Sequence, residues 1–267
     1  LLTAGGIGAW IGLLAPGVPR AVRFALGLAT LLTASHVLGS LALLGVATAW
    51  LLAAFGFVGL ARAVLNGAGS GRRLRPPAGW LWIALPGIAL LATASASPPG
   101  ALWSSEYGGY DVLSYHLQLP REWVALGHTH PLEHNAYSFL PGALEVAYAH
   151  LFHLSGGSDP LRDGGRLLIS AHLLHAGLAV ASGWVIARLA RRAALAGGAT
   201  GTGARVASTL AGGLVLCTPW TVVVGSIAYN EMGVVALGAA AMLVAIGRGG
   251  SPARRGAIVG LLVGVAC

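Results

Sequence analysis

Two carboxylates stand in unusual company. Asp111 follows Gly-Gly-Tyr and opens "YDVLSYHLQLPREWVALG", and Glu231 lies alone in "SIAYNEMG" between two apolar runs. An Asp so placed can act as a general base toward a hydroxyl within hydrogen-bond reach, or it can cap a helix, for which Asp is a preferred residue. From Asp111 onward, Tyr115, Gln118 and Glu122 recur at helical spacing, with Val112, Leu113, Leu117 and Val124 on the opposite face. This predicts an interfacial helix, apolar side down, anchored by Trp123 and kinked or divided at Pro120. Arg121 offers a planar fork suited to a phosphate, or a side chain that snorkels to the headgroups. His116, beside Tyr115, is either an assistant to the site or a packed histidine. His128, His130 and His134 with Glu133 have the donor chemistry for zinc or manganese. Pro131 and the irregular spacing argue against a metal there, so no metal ligand is assigned and a divalent ion is left open. Asn135, Tyr137 and Ser138 either contact a ligand or form the turn before a helix beginning at Pro141. Tyr229 and Asn230 precede Glu231 at the mouth of an apolar run, where Trp220 and Tyr229 also fit an aromatic belt.

The elements that must position these residues are written in the composition. Of 267 residues, 56% are hydrophobic and only 9% charged, with mean hydropathy +0.76. Soluble domains carry roughly 25% charged residues, and spans of about 20 apolar residues cross a bilayer. This is the composition of an integral membrane protein. The net charge of +8 does not imply nucleic acid: every basic residue is Arg, and most cluster between apolar runs, as in cytoplasmic loops. Cys217 and Cys267 have no metal spacing. The chain begins without Met and stops inside an apolar run, with no signal peptide visible, so it is expected to be a piece of a longer polytopic protein.

Apolar runs fall near 1–15, 22–40, 41–61, 80–97, 141–155, 166–187, 206–228, 232–247 and 256–267. "SHVLGS" (35–40) is expected to be an external turn, "NGAGSGRRLRPP" (66–77) a cytoplasmic linker, and the Gly-rich 196–206 a second linker rather than a phosphate loop. Parity then constrains the topology. If 80–97 leads outward and Arg188–Arg205 lies inside, only one of 141–155 and 166–187 crosses. Run 141–155 is short and carries Glu145, His150 and His153, which are costly in lipid, so it is expected to stay outside as a juxtamembrane or re-entrant helix. On this topology all eight acids, Glu106 through Glu231, are external. Arg162 and Arg166 are expected to pair with Asp159 and Asp163, or with lipid. His172 and His175 fall within a span, facing a cavity or bonded between helices.

The words "YDVLSYHLQLPREWVALG", "HNAYSFLPGALEVAY" and "TPWTVVVGSIAYNEMGVVAL" resemble the GT-C glycosyltransferases, in the bacterial branch related to family-39 enzymes and Rgt-type transferases. The resemblance covers about residues 80–267. It implies an all-α polytopic bundle with an external loop (98–140) of juxtamembrane helices, preceded by N-terminal spans and an Arg-rich linker (1–79). It further implies transfer of a sugar from a polyprenyl-phosphate donor to an acceptor hydroxyl on a lipid, glycan or protein, with inversion, on the outer face of the inner membrane. Asp111 would be the base, and Glu231 would orient the acceptor or help hold a metal. Tyr115, His116, Arg121, Asn135, Tyr137, Tyr229 and Asn230 would surround the substrates. Two departures stand out: Tyr110, not an acid, precedes Asp111, and the later acid is Glu in "YNEM". The rival expectation is a non-catalytic polyprenyl-lipid-binding or transport protein. The absence of an internal repeat and the concentration of polar residues in one loop favour the enzyme.

Overall fold

The computed structural model describes residues 1–68, 78–98, 109–156, 165–247 and 249–267. The described residues form helices and turns, with no β-strand among them. Three N-terminal helices, α1 (Leu2–Leu14), α2 (Arg20–Ser40) and α3 (Val46–Ala68), group around α1, which packs on both others. Their backbones meet through glycine: a Cβ at Gly6 would overlap the carbonyl of Gly56, and one at Gly27 that of Ala4. Close approach of this kind is how helices associate where lipid removes the hydrophobic drive.

The remaining helices extend the layer. The helix α4 (Gly79–Ser95) packs on α8 (Gly201–Cys217), α8 on α7 (Arg166–Ala196), α7 on α10 (Glu231–Ala245), and α10 on α11 (Pro252–Ala266). Both α10 and α11 return to α2. One apolar core therefore runs from Val22 and Leu32 through Leu237 and Leu178 to Leu216 and Leu91. By length and composition α2, α3 and α7 can cross a membrane, and α8 with α9 (Pro219–Gly225) makes a fourth if the bent pair is one span.

Several expected boundaries move. The stretch 35–40 is not a turn. Helix α2 runs through it, because Ser35 bonds His150 Nδ1 at 3.1 Å and Ser40 meets Thr129 Oγ1 at 3.3 Å. The chain turns instead after Ser40, with Ala42 at φ +57°. The Gly-rich linker shrinks to 197–200, since the Thr200 hydroxyl accepts the Gly203 N–H at 3.1 Å and starts α8 at Gly201. Run 206–228 is not one straight helix: α8 and α9 are bent by 59°, with Pro219 at the first turn of α9. Helix α6 (Ala143–Leu154) starts after Gly142 rather than at Pro141. Its twelve residues reach only about 18 Å. Glu145, His150 and His153 are buried in protein, against neighbours that include α2 and α5 (Gln118–Leu126).

Candidate functional site

The site is built on an irregular turn. Gly109 adopts φ +84°, a left-handed conformation suited to glycine, and leads into Tyr110 and Asp111. Residues Val112–His116 form a π-helical turn, closed by the Leu117 N–H on the Val112 carbonyl at 2.9 Å. The wider turn shifts the helical register, so the expected apolar stripe is broken. Val112 and Leu117 are buried, while Leu113 is 51% exposed. Helix α5 follows directly, with Pro120 in its first turn, where a missing N–H is harmless. Division of the segment was expected; a π turn was not. Asp111 makes no side-chain capping bond, so the capping alternative is not how this residue is used. Trp123 is not an interfacial anchor: it is buried and donates its indole N–H to the His130 carbonyl at 2.8 Å.

Two aromatic residues of this loop stack. The rings of Tyr115 and Tyr137 lie 4.3 Å apart at 17°. Asn135 holds them in place. Its amide donates to the Ser114 carbonyl at 2.9 Å and accepts the Tyr137 N–H at 3.1 Å. Asn135 is therefore a clamp between two loop segments. His116 is likewise beneath the surface, 2% exposed, donating from Nδ1 to Glu145 Oε1 at 2.6 Å. Its ring contacts Tyr115 at 4.0 Å and Tyr229 at 4.9 Å.

Tyr229 belongs to the second half of the chain, and its backbone carbonyl accepts the Tyr148 hydroxyl of α6 at 2.5 Å. The connection from α9 to α10 is held by His175 of α7. That ring donates from Nδ1 to the Ile227 carbonyl at 2.6 Å and accepts the Met232 N–H at Nε2, 3.1 Å away. The expectation of a histidine bonded between helices holds for His175. His172 is also fully buried, its ring near the backbone of Ser95 and Ser97 at the end of α4. Glu231 opens α10, exposed, with Oε2 on the Asn230 N–H at 3.2 Å. An acid suits a helix N-terminus. Asn230 is half-buried beside a small cleft lined by Leu32 and Leu144.

These two regions form one electrostatic environment. Burial, then Asp111 and then Glu231, pushes the Tyr229 phenol up to about 12. The Tyr115 phenol rises well above its usual 10, through burial first, then Asp111, Glu231, Tyr229 and Glu145. Both phenols lie within the field of both carboxylates. Asp111, Tyr115, His116, Tyr137, Tyr229 and Glu231 are brought to one end of the bundle. Arg121 is half-buried in the first turn of α5.

The histidine-rich loop goes elsewhere. His134 pairs with Glu122 at 3.0 Å, and His128 lies against His130. No three His, Cys, Asp or Glu side chains gather among the described residues. Glu106, Asp159, Arg162, Asp163 and the arginines at 72, 73, 75 and 248 lie outside the described residues. What sequence reasoning missed is Glu145 as the partner of His116, and Tyr148 and His175 as supports. Glu145 was conspicuous as an acid in an apolar run, but its partner lies 29 positions away on a different element.

In comparisons with known proteins, the chain matches no family model, no curated protein and no solved structure. The GT-C likeness therefore rests on the three quoted segments alone.

Proposed function

We propose that the protein is an integral membrane glycosyltransferase that moves a sugar from a polyprenyl phosphate to an acceptor hydroxyl outside the cytoplasm. The observation that carries the reading is the convergence of Asp111 and Glu231, from remote parts of the chain, around the same two tyrosines. In the reaction the acceptor oxygen attacks the anomeric carbon, with inversion. The bond from that carbon to the phosphate oxygen breaks, and its electron pair leaves with the polyprenyl phosphate. The acceptor proton passes to the Asp111 carboxylate. Glu231 orients the acceptor, and the Tyr115–Tyr137 stack gives the sugar an aromatic wall. A divalent metal near Glu231 is not needed for this scheme and is not assigned. The rigid floor of Glu145, His116 and Tyr148 suits a site whose geometry must be fixed before reaction.

The test is transfer by the full-length protein in membranes, against a panel of polyprenyl-phosphate sugars, with wild type beside Asp111→Asn. General-base removal is expected to cost about 10²–10⁴-fold while expression and insertion hold. Unchanged transfer in the variant would remove Asp111 from the chemistry. A panel with no transfer, together with co-purifying polyprenyl lipid, would instead support a non-catalytic lipid-binding protein.

A further inference from the structure

The other end of the bundle carries a second feature, independent of the reading above. Two adjoining cavities of about 380 Å³ each share Pro19, Arg192 and Leu243. Arg20 of α2, Arg188, Arg191 and Arg192 of α7, and Arg254 and Arg255 of α11 line them, and no Asp or Glu does. Val22, Leu243 and Ile258 supply an apolar wall. The cavities lie far from Asp111 and Glu231. From Glu231, α10 rises roughly 18 Å to Leu243, and from His175, α7 rises roughly 24 Å to Arg191.

Loop arginines at a cytoplasmic end are explained by topology, but topology does not explain their convergence from three helices on one walled cleft. Arg188, Arg191 and Arg192 share a helical face at i, i+3 and i+4, where like charges repel. An anion between them reverses the sign of that interaction. Guanidinium forks match phosphate oxygens in pairs, and the apolar wall suits acyl chains better than water. We propose that this cleft binds the phosphate headgroup of an anionic phospholipid, in the manner of basic pockets between membrane helices.

The experiment follows thermal unfolding of the full-length protein in neutral detergent, titrated with mixed micelles of phosphatidylglycerol, with phosphatidylcholine, or with inorganic phosphate. Phosphatidylglycerol is expected to raise the midpoint by at least about 4 °C, and phosphatidylcholine to leave it unchanged. Arg188→Gln/Arg191→Gln/Arg192→Gln is expected to abolish the rise. Arg62→Gln, which removes the cation over the Trp10 ring on α1, is expected to keep it. Should the triple variant fail to fold, Arg20→Gln/Arg254→Gln provides the same comparison. An equal rise in the cleft variants, or none in wild type, overturns the site. A rise reproduced in full by inorganic phosphate overturns the lipid assignment.

Discussion

Glu145 is 3% exposed, with Oε1 on His116 Nδ1 and Oε2 meeting no partner among the described residues. A buried carboxyl satisfied on one side only is a poor contributor to stability, and deleting its partner typically costs about 3–5 kcal/mol. Its use is to fix the His116 ring, which lies against both Tyr115 and Tyr229. A buried histidine on the helix of Glu145 yields a pH prediction. Burial, then the neighbouring His153, lowers His150 to about 4 from its usual 6.5. Between those values the unfolded chain takes up a proton that the folded protein excludes, so stability is present above pH 6.5 and falls as pH drops toward 4. Between pH 7 and pH 5 the loss of stability, followed by thermal unfolding, should be smaller in His150→Asn than in wild type by about 2 kcal/mol. His153 is lowered in the same direction by burial and adds to the acid loss in both proteins. Equal acid loss in both proteins would show that His150 is not the group responsible. At this scale the sequence marks Asp111 and Glu231 by their isolation. It cannot mark the clamp made by Asn135 or the pairing of Glu145, because each depends on a contact across the fold.

Among the elements, the link from α9 to α10 depends most on a single side chain. His175 bonds both sides of it, and Ser182 of the same helix donates to the Met232 carbonyl at 2.9 Å. His175→Leu should leave the Met232 N–H buried without its partner, at about 1–3 kcal/mol for such a group, and the Ile227 carbonyl with only the Tyr229 N–H. Hydrogen exchange should then accelerate across 227–233 while α8 stays protected. Unchanged exchange in that segment would mean that packing alone holds it. Helix positions were largely legible because apolar runs of span length have few other outcomes. The breaks were not. "LALLG" after Ser40 is as apolar as a helix, yet it turns. Pro219 did signal the end of α8, but continuous hydrophobicity on both sides masked it. The π turn at 112–116 has no local signature, and Asn135 holds it from the neighbouring loop.

For the whole molecule, arginines collect at one end of α2, α7 and α11, and Asp111 and Glu231 gather at the other. That separation predicts an orientation. In a protein with Cys217 and Cys267 replaced by Ser, Tyr137→Cys should react with an impermeant maleimide on intact cells. Ala199→Cys, in the exposed turn after α7, should react only after permeabilisation. The reverse result would place the acidic end in the cytoplasm and remove the polyprenyl-phosphate reading. The sequence displays the charge asymmetry along its length. The return of α10 and α11 to α2 is invisible there, because Leu, Ala and Gly faces are alike in composition and differ only in fit.

The bond between Ser35 and His150 spans 115 positions. A ribosome making about 5–20 residues per second needs on the order of 6–23 seconds to cover that interval. Throughout it, the eventual polar partner of Ser35 on α2 is unmade. Its glycine contacts with α1 are available from the start, so the N-terminal helices serve as an early nursery for a helix whose remaining neighbours arrive late.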